Sequence, residues 1–203
     1  RAPRTLGAWL LGALLGLAGA VAQGLFRNPL ADPYLLGSAS GASLCVVLVL
    51  AGSALAGHGV SLEAADLLAR AGLVLAAFAG ALGGVLLTLL LSRGAQHTVR
   101  LLLAGVVVGV VLGAFGDLAT MAAPEALRGK QAFMLGSTGF LGWASVGLLA
   151  VGLALTLPLA WRLARVLDAL TLGIDSAVSL GLALPTLRMV LVTVLALATG
   201  LAV

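Results

Sequence analysis

The stretch RNPLADPYLLGSASGAS, residues 27–43, interrupts a chain that is otherwise almost uniformly apolar. Its prolines, Pro29 and Pro33, cannot continue a helix. Asn28 and Asp32 are residue types that cap free backbone groups at helix ends and in turns. The stretch is therefore predicted to be a tight reversal between two helices.

The apolar runs around this stretch are long enough to cross a bilayer. Of 203 residues, 62% are hydrophobic and 9% are charged, whereas a soluble domain carries about a quarter charged residues. Backbone polar groups must be satisfied in lipid, and the alternation typical of a barrel is absent, so the runs are predicted to be helices. The sequence indicates an all-α, polytopic membrane protein with spans at 5–26, 36–57, 67–91, 101–121, 141–161 and 187–203.

Short polar connections join these predicted spans, apart from a longer stretch at 162–185. In that stretch apolar residues recur at helical spacing, Gly173 and Gly181 break the pattern, and Pro185 can begin a new helix. Two short amphipathic helices at the membrane surface are predicted. Composition alone leaves open whether they anchor in lipid headgroups or dock a cytoplasmic partner.

Small residues recur every fourth position in two of the predicted helices, a pattern that lets membrane helices approach closely. These residues are Gly12, Gly16, Ala20 and Gly24 in the first helix, and Gly105, Gly109 and Gly113 in the fourth. No strand precedes these glycines and no GK[ST] follows them, which argues against phosphate binding. Close helix packing is the interpretation we adopt.

The sequence offers no catalytic constellation. It lacks HExxH, a Ser-Lys pair and paired intramembrane acids, and Cys45 is the single cysteine. His58 and His97 are expected at opposite ends of the predicted bundle, which excludes a shared metal site. Asp117 is interpreted as a solvated helix end. A net charge of +4 without a basic, aromatic-rich stripe argues against nucleic-acid binding. We therefore predict no enzyme activity, cofactor or metal.

The 27–43 stretch and the residues before it resemble a signature of the permease subunits of iron-siderophore, haem and cobalamin ABC importers. The family pattern is approximately QGxFxNPLAxPxxLGxxxGA. The chain matches it at Gln23, Gly24, Phe26, Asn28, Pro29, Leu30, Ala31, Pro33, Leu36, Gly37, Gly41 and Ala42. RAPR at 1–4, RLLLAGVVVG from Arg100, LGSTGFLGW at 135–143 and LTLGIDSAVSLGL from Leu170 resemble further family segments in the same order.

The resemblance implies a type II ABC importer permease fold in the inner membrane of a prokaryote. It implies that residues 1–203 form a single transmembrane permease domain holding about six of ten helices, and that the chain is a fragment lacking both ends. The family topology places the first, third and fifth connections in the cytoplasm. The distribution of Lys and Arg favours the same orientation only slightly. The implied partners are a second permease copy, two cytoplasmic ATPases that hydrolyse ATP, and an extracytoplasmic substrate-binding protein.

The resemblance also assigns roles to individual residues. Arg1 matches an arginine that docks the binding protein, with interfacial anchoring as the alternative. A cytoplasmic gate is implied at His97, Thr98 and Val99. The coupling element within 163–184 comprises Leu170, Leu172, Gly173, Asp175, Ala177, Leu180 and Gly181. A structural loop comprises Asn28, Pro29, Leu30, Ala31, Pro33, Gly37 and Gly41. Ferric siderophore is the first expected cargo, followed by haem and cobalamin. A secondary transporter or channel that does not use ATP is the alternative function.

Overall fold

The computed structural model describes residues 1–55, 67–94, 98–172, 177, 179 and 183–203. Within these residues the chain forms seven α-helices, one 3-10 turn (Thr138–Phe140) and no strand. The helices are α1 (Ala2–Phe26), α2 (Ser38–Leu55), α3 (Leu67–Ser92), α4 (Thr98–Ala122), α5 (Glu125–Leu135), α6 (Trp143–Thr171) and α7 (Leu184–Ala202). All except α5 are long and apolar enough to cross a membrane. The predicted all-helical protein with six spans is confirmed.

The termini of the long helices gather at two ends of the bundle. The loop end holds residues 27–37, the first turn of α4, the last turn of α6 and the first turn of α7. The far end holds Arg1, α5 and the first turn of α6. Near Arg1, Gly7 lies against the side chain of Leu141, so the start of α1 and the start of α6 share the far end.

Two apolar clusters hold the helices together. The larger cluster is built mainly by α1, α6 and α7, and includes Leu14, Leu191 and Leu195, whose side chains are completely or almost completely buried. The smaller cluster joins α2, α3 and α5 and includes Val47 and Ala77. Helix α2 also lies against α4. Since lipid is as apolar as these side chains, their association depends on close van der Waals packing.

Helix α5 corrects the prediction of a short polar connection between the spans 101–121 and 141–161. Pro124 precedes the helix, Glu125 occupies its first turn, and Gly136 ends it with φ 66°. The residues between them are mostly strong helix formers such as Ala, Leu, Arg, Lys and Gln. Helix α5 is too short and too polar to cross a membrane, so hydropathy does not predict it. Neither property prevents a helix at a membrane surface.

Helix α6 corrects the first of the two surface helices predicted in 162–185, whereas most of the second lies outside the described residues. Helix α6 runs from Trp143 to Thr171 without a break, so its last ten residues continue the spanning helix. The physical reason is the absence of glycine and proline between Trp161 and Gly173. At the other side of the stretch, Pro185 lies in the first turn of α7, as predicted from its sequence position.

The glycine contacts agree only in part with the predicted stripes. Among the described residues, no atom lies within 4 Å of a Cβ built at Gly12, Gly16 or Gly113. Close approaches occur where Gly41 of α2 meets Gly80 of α3 and where other glycines, including Gly105 of the predicted α4 stripe, face backbone. These other glycines are Gly84, against the Gly37 carbonyl, and Gly105, against the Leu35 carbonyl. The spacing of small residues indicated which helices can pack closely, but it did not identify their partners.

Candidate functional site

The loop of residues 27–37 is held in one shape by its own hydrogen bonds. The Leu30 amide donates to Oδ1 of Asn28 at 2.9 Å, and the Tyr34 amide donates to Oδ1 of Asp32 at 2.6 Å. Such side-chain-to-backbone bonds are the turn-forming role expected of Asn and Asp. Burial, and secondarily the charge of Asp32, raises the pKa of the Tyr34 phenol, which stays neutral at physiological pH.

The loop returns the chain to the bundle through glycine. Gly37 has φ 79°, a left-handed conformation that residues with a Cβ adopt only at a cost. Four residues later, a Cβ at Gly41 would overlap the carbonyl oxygen of Gly80. A Cβ would be strained at Gly37 and would overlap a neighbouring backbone at Gly41, and the structural role assigned to both stays a prediction.

Arg27 connects this loop to the last turn of α6. It is the C-cap of α1 in a left-handed conformation (φ 51°, ψ 40°), and its Nη1 donates to the carbonyl oxygen of Leu170 at 3.5 Å. A cation near the C-terminus of a helix is favoured by the helix dipole. One turn earlier, a Cβ at Gly24 would lie 3.0 Å from Cδ2 of Leu167. The end of α1 and the end of α6 are thus packed together.

We expect Arg27→Ala to lower the free energy of unfolding of the full-length subunit by about 1 kcal/mol, because the bond to the Leu170 carbonyl is lost. Arg27→Gly loses the same bond but removes the strain of a left-handed residue, so it should be more stable than Arg27→Ala by about 1 kcal/mol. Thermal unfolding in detergent measures both. Equal stability of the two variants would contradict the backbone part of this argument.

The predicted coupling residues fall into three groups. Leu170 and Ala177 are buried, and both belong to the larger apolar cluster. Leu172, at the C-cap of α6, is 70% exposed. The others lie outside the described residues: Gly173, Asp175, Leu180 and Gly181. The described part of the segment therefore offers one large exposed apolar side chain, Leu172, next to buried ones.

The predicted gate lies at the start of α4, also at the loop end. Thr98 and Val99 form its first turn, and His97 lies outside the described residues. Val99 is exposed and lines a shallow groove of about 560 Å³ together with Leu103 and Val107. The exposed face continues along α4 through apolar side chains, namely Val106, Val110, Val111 and Phe115. One long side of α4 is thus apolar and uncovered in the described structure.

A wider cavity of about 1200 Å³ extends toward the far end. Polar side chains from four helices and two turns line it, namely Tyr34, Ser40, Ser43, Asp117, Lys130, Ser137, Thr138 and Ser145. Asp117 of α4 forms an ion pair with Lys130 of α5, and their side chains are 72% and 14% exposed. The sequence identified Asp117 as an exposed helix end but missed Lys130, because helix α5 itself was missed.

Arg1 lies at the far end, where it is exposed and precedes the first turn of α1. Its carbonyl oxygen accepts a hydrogen bond from the Thr5 amide at 3.2 Å. Among the described residues, no group of three or more His, Cys, Asp or Glu side chains is arranged to hold a metal ion. The candidate site therefore consists of the groove on α4 at the loop end and the wider polar cavity toward the far end.

Comparison with known proteins decides between the possible classes of membrane protein. The profile of the FecCD transport family matches residues 1–203. The chain belongs to the FecCD transport family. It is 38% identical over 208 residues to the hemin transport system permease protein HmuU of Yersinia pestis, covering all of this chain and 59% of HmuU.

Two further relatives of this family have different named cargoes. The ferric enterobactin permease FepD of Escherichia coli strain K12 is 36% identical over 89% of this chain and 52% of FepD. The vitamin B12 permease BtuC of Pectobacterium atrosepticum is 38% identical over all of this chain and 58% of BtuC. The chain thus spans a little over half the length of these relatives.

A solved structure confirms the fold that the resemblance implied. A metal-chelate type ABC transporter, solved in an inward-facing conformation, superposes with a TM-score of 0.82 at 25% sequence identity. The match covers all of this chain and 62% of the other. The predicted family and the predicted ABC importer permease fold are therefore both confirmed.

Proposed function

We propose that this chain provides the membrane pathway of a bacterial inner-membrane ABC importer, as part of a permease subunit that a separate ATPase drives. The observation that carries the proposal is the family match over the whole chain together with the ABC transporter superposition. The permease itself hydrolyses no ATP in this proposal.

The proposed orientation puts the loop end in the cytoplasm. The proline loop, the gate at residues 97–99 and the segment 163–184 then all face the ATPase. Arg1, at the far end, faces the binding protein. An exposed ion pair between Arg1 and that protein would contribute more to steering and register than to affinity. A second permease copy would cover the apolar side of α4 and enclose the pathway. Apart from Arg100, the residues that line the groove on α4 are apolar, and such a wall offers a bulky chelate few specific contacts, so in this proposal the binding protein carries selectivity.

The proposed cargo is a metal chelate or a similarly bulky cofactor. The relatives named above transport hemin, ferric enterobactin and vitamin B12, and all three are large ring or chelate compounds that carry a metal. Ferric siderophore is our first choice, and haem and cobalamin are the other candidates.

Uptake by the complete complex tests this proposal. The full-length subunit, its ATPase and its binding protein are reconstituted in liposomes, and labelled ferric siderophore, haem and cobalamin are supplied in turn. We expect ATP-dependent uptake of one of the three. Uptake of a cargo without ATP would support the secondary transporter instead, and failure of the subunit to associate with an ATPase would refute the proposal.

A further inference from the structure

Residues 35–37, at the end of the loop that follows α1, are held by contacts between their backbone and two other helices. The Leu36 carbonyl oxygen accepts a hydrogen bond from Oγ1 of Thr88, in α3, at 2.9 Å. The carbonyl oxygen before it faces α4, where a Cβ at Gly105 would overlap the oxygen of Leu35. The segment 35–37 is therefore wedged between α3 and α4.

Gly37 touches both of these helices. A Cβ at Gly84 of α3 would overlap the Gly37 carbonyl oxygen, and a Cβ built on Gly37 would lie 3.1 Å from Cγ1 of Val108 in α4. Glycine is the residue that allows so close an approach of backbone to backbone. The end of the loop therefore fills the space between α3 and α4 with main chain.

The contacts of this wedge are interior ones. The side chains of Leu36, Thr88 and Val108 are all completely or almost completely buried. A further segment or a partner can cover the outside of the bundle, but it has no room between atoms that already touch. The wedge is therefore a property of the packing of this chain and does not depend on what covers the bundle.

The wedge fixes the register of α4 against the loop. A shift of α4 by one turn replaces each contact residue with the residue roughly four positions away. In one direction Leu101 replaces Gly105, although even a Cβ at that place overlaps the Leu35 carbonyl. In the other direction Leu112 replaces Val108. Each shift puts a larger side chain into a filled contact, and a packed interior resists that change.

We propose that residues 35–37 and the loop end of α4 move as one body, and that Thr88 is the positioning residue that joins this body to α3. The predicted gate residues Thr98 and Val99 then move only together with the loop, because packed contacts of this kind shift as units and do not deform continuously. The packing part of the inference is independent of cargo and partner, and its consequence for transport rests on the proposed function.

A disulfide between α2 and α4 tests whether α4 moves against the loop during transport. A Cβ built at Gly109 lies 3.6 Å from Oγ of Ser40, which suits a disulfide between Ser40→Cys and Gly109→Cys. The full-length subunit, with Cys45→Ala and any further cysteine replaced, is reconstituted with its ATPase and binding protein. We expect the bond to form and the oxidised and reduced complexes to take up cargo at the same rate.

The two single-cysteine variants are the controls for the effect of oxidation itself. Loss of uptake on oxidation of the double variant, restored by reduction, would show that α4 moves against the loop and would overturn the inference. Failure of the bond to form would also overturn it, since the close approach of α2 and α4 would then be absent. If the unaltered complex takes up no cargo, the proposed function fails, and the measurement on the isolated subunit still decides the inference.

That measurement uses pairs of spin labels on the purified full-length subunit in nanodiscs. One label replaces the exposed Leu30 of the loop, and the other replaces either Leu75 of α3 or Leu118 of α4, which are also exposed. Thr88→Val removes the hydroxyl and keeps the shape, whereas Thr88→Ser keeps the hydroxyl. We expect Thr88→Val to broaden the distances from the loop to α3 but not those to α4, and Thr88→Ser to change neither.

Two results of the spin-label measurement would contradict the inference. A hydroxyl that only stabilises the fold would lower the unfolding temperature of Thr88→Val and leave the distances from the loop to α3 unchanged. Equal broadening of both sets of distances would mean that the loop and α4 are not one body.

Discussion

Replacing Gly80 with alanine is expected to lower the free energy of unfolding of the full-length subunit by about 3 kcal/mol, the upper end of the range for overpacking of a well-packed interior. A Cβ at Gly80 would overlap the carbonyl oxygen of Gly41 and lie 2.8 Å from Cβ of Cys45. The first obstacle is backbone and cannot rotate away. Helices α2 and α3 must therefore separate, and separation removes the contacts of both apolar faces.

The same helix supplies the control for this prediction. At Gly83, no described atom lies within 4 Å of a built Cβ. Alanine there relieves the poor helix propensity of glycine, which is worth up to about 1 kcal/mol in a helix interior. Gly83→Ala should therefore be neutral or stabilising. Gly52→Ala, in α2, is a second control of the same kind.

Thermal unfolding of the purified subunits in detergent measures these effects. Gly80→Ala should unfold at a clearly lower temperature than both controls and should give less folded protein on expression. If Gly80→Ala proves as stable as Gly83→Ala, the close approach of α2 and α3 does not exist.

A proline at position 177 is expected to abolish uptake while ATP hydrolysis by the assembled complex continues. Ala177 is completely buried and belongs to the same apolar cluster as Leu170 and Leu191. A proline there would remove the backbone donor of a helical residue and force a larger ring into the packed cluster, which costs stability. The coupling role that the resemblance implies for segment 163–184 requires it to pass the movement of the ATPases to the membrane helices as a rigid body, and a distorted segment cannot do so.

The control for this prediction is Ala177→Ser, which keeps a small side chain whose hydroxyl can bond to a nearby backbone carbonyl. The measurement is the ratio of cargo uptake to ATP hydrolysis in proteoliposomes, together with the thermal stability of each complex. Ala177→Pro should have a ratio near zero and Ala177→Ser a ratio near that of the unaltered complex. Parallel loss of uptake, hydrolysis and assembly would mean that Ala177 only supports the fold. Unchanged uptake by Ala177→Pro would refute the coupling role.

Hydropathy was sufficient to predict the six spans, because apolar length is the dominant requirement for crossing a bilayer. It could not predict α5, which is polar and does not cross. It also placed the end of α6 about ten residues too early, because the change at Trp161 is one of polarity and the helix continues through it. Hydropathy reports the environment of a segment more directly than its backbone conformation.

The candidate site was predicted unevenly for a similar reason. The turn chemistry of Asn28 and Asp32 is local in sequence, so it could be read from the residues and is confirmed by their hydrogen bonds. The Arg27 contact with Leu170 joins residues far apart in the chain, and no local pattern contains it. The exposure of Leu30, whose side chain is 88% exposed, is also a tertiary property. The sequence could not show it, so the resemblance placed Leu30 in the structural loop. The proposed roles of Arg1 and of the gate residues stay predictions.

The meeting of Gly41 and Gly80 also constrains how the sequence can change over time. At most packed positions a larger residue is accommodated when its neighbour becomes smaller. Here each residue faces a glycine, and nothing smaller exists. Second-site revertants of either substitution must therefore arise elsewhere, by moving a whole helix. A larger residue at either position overlaps the backbone at the other, so both positions should be among the slowest of the chain to change in sequence.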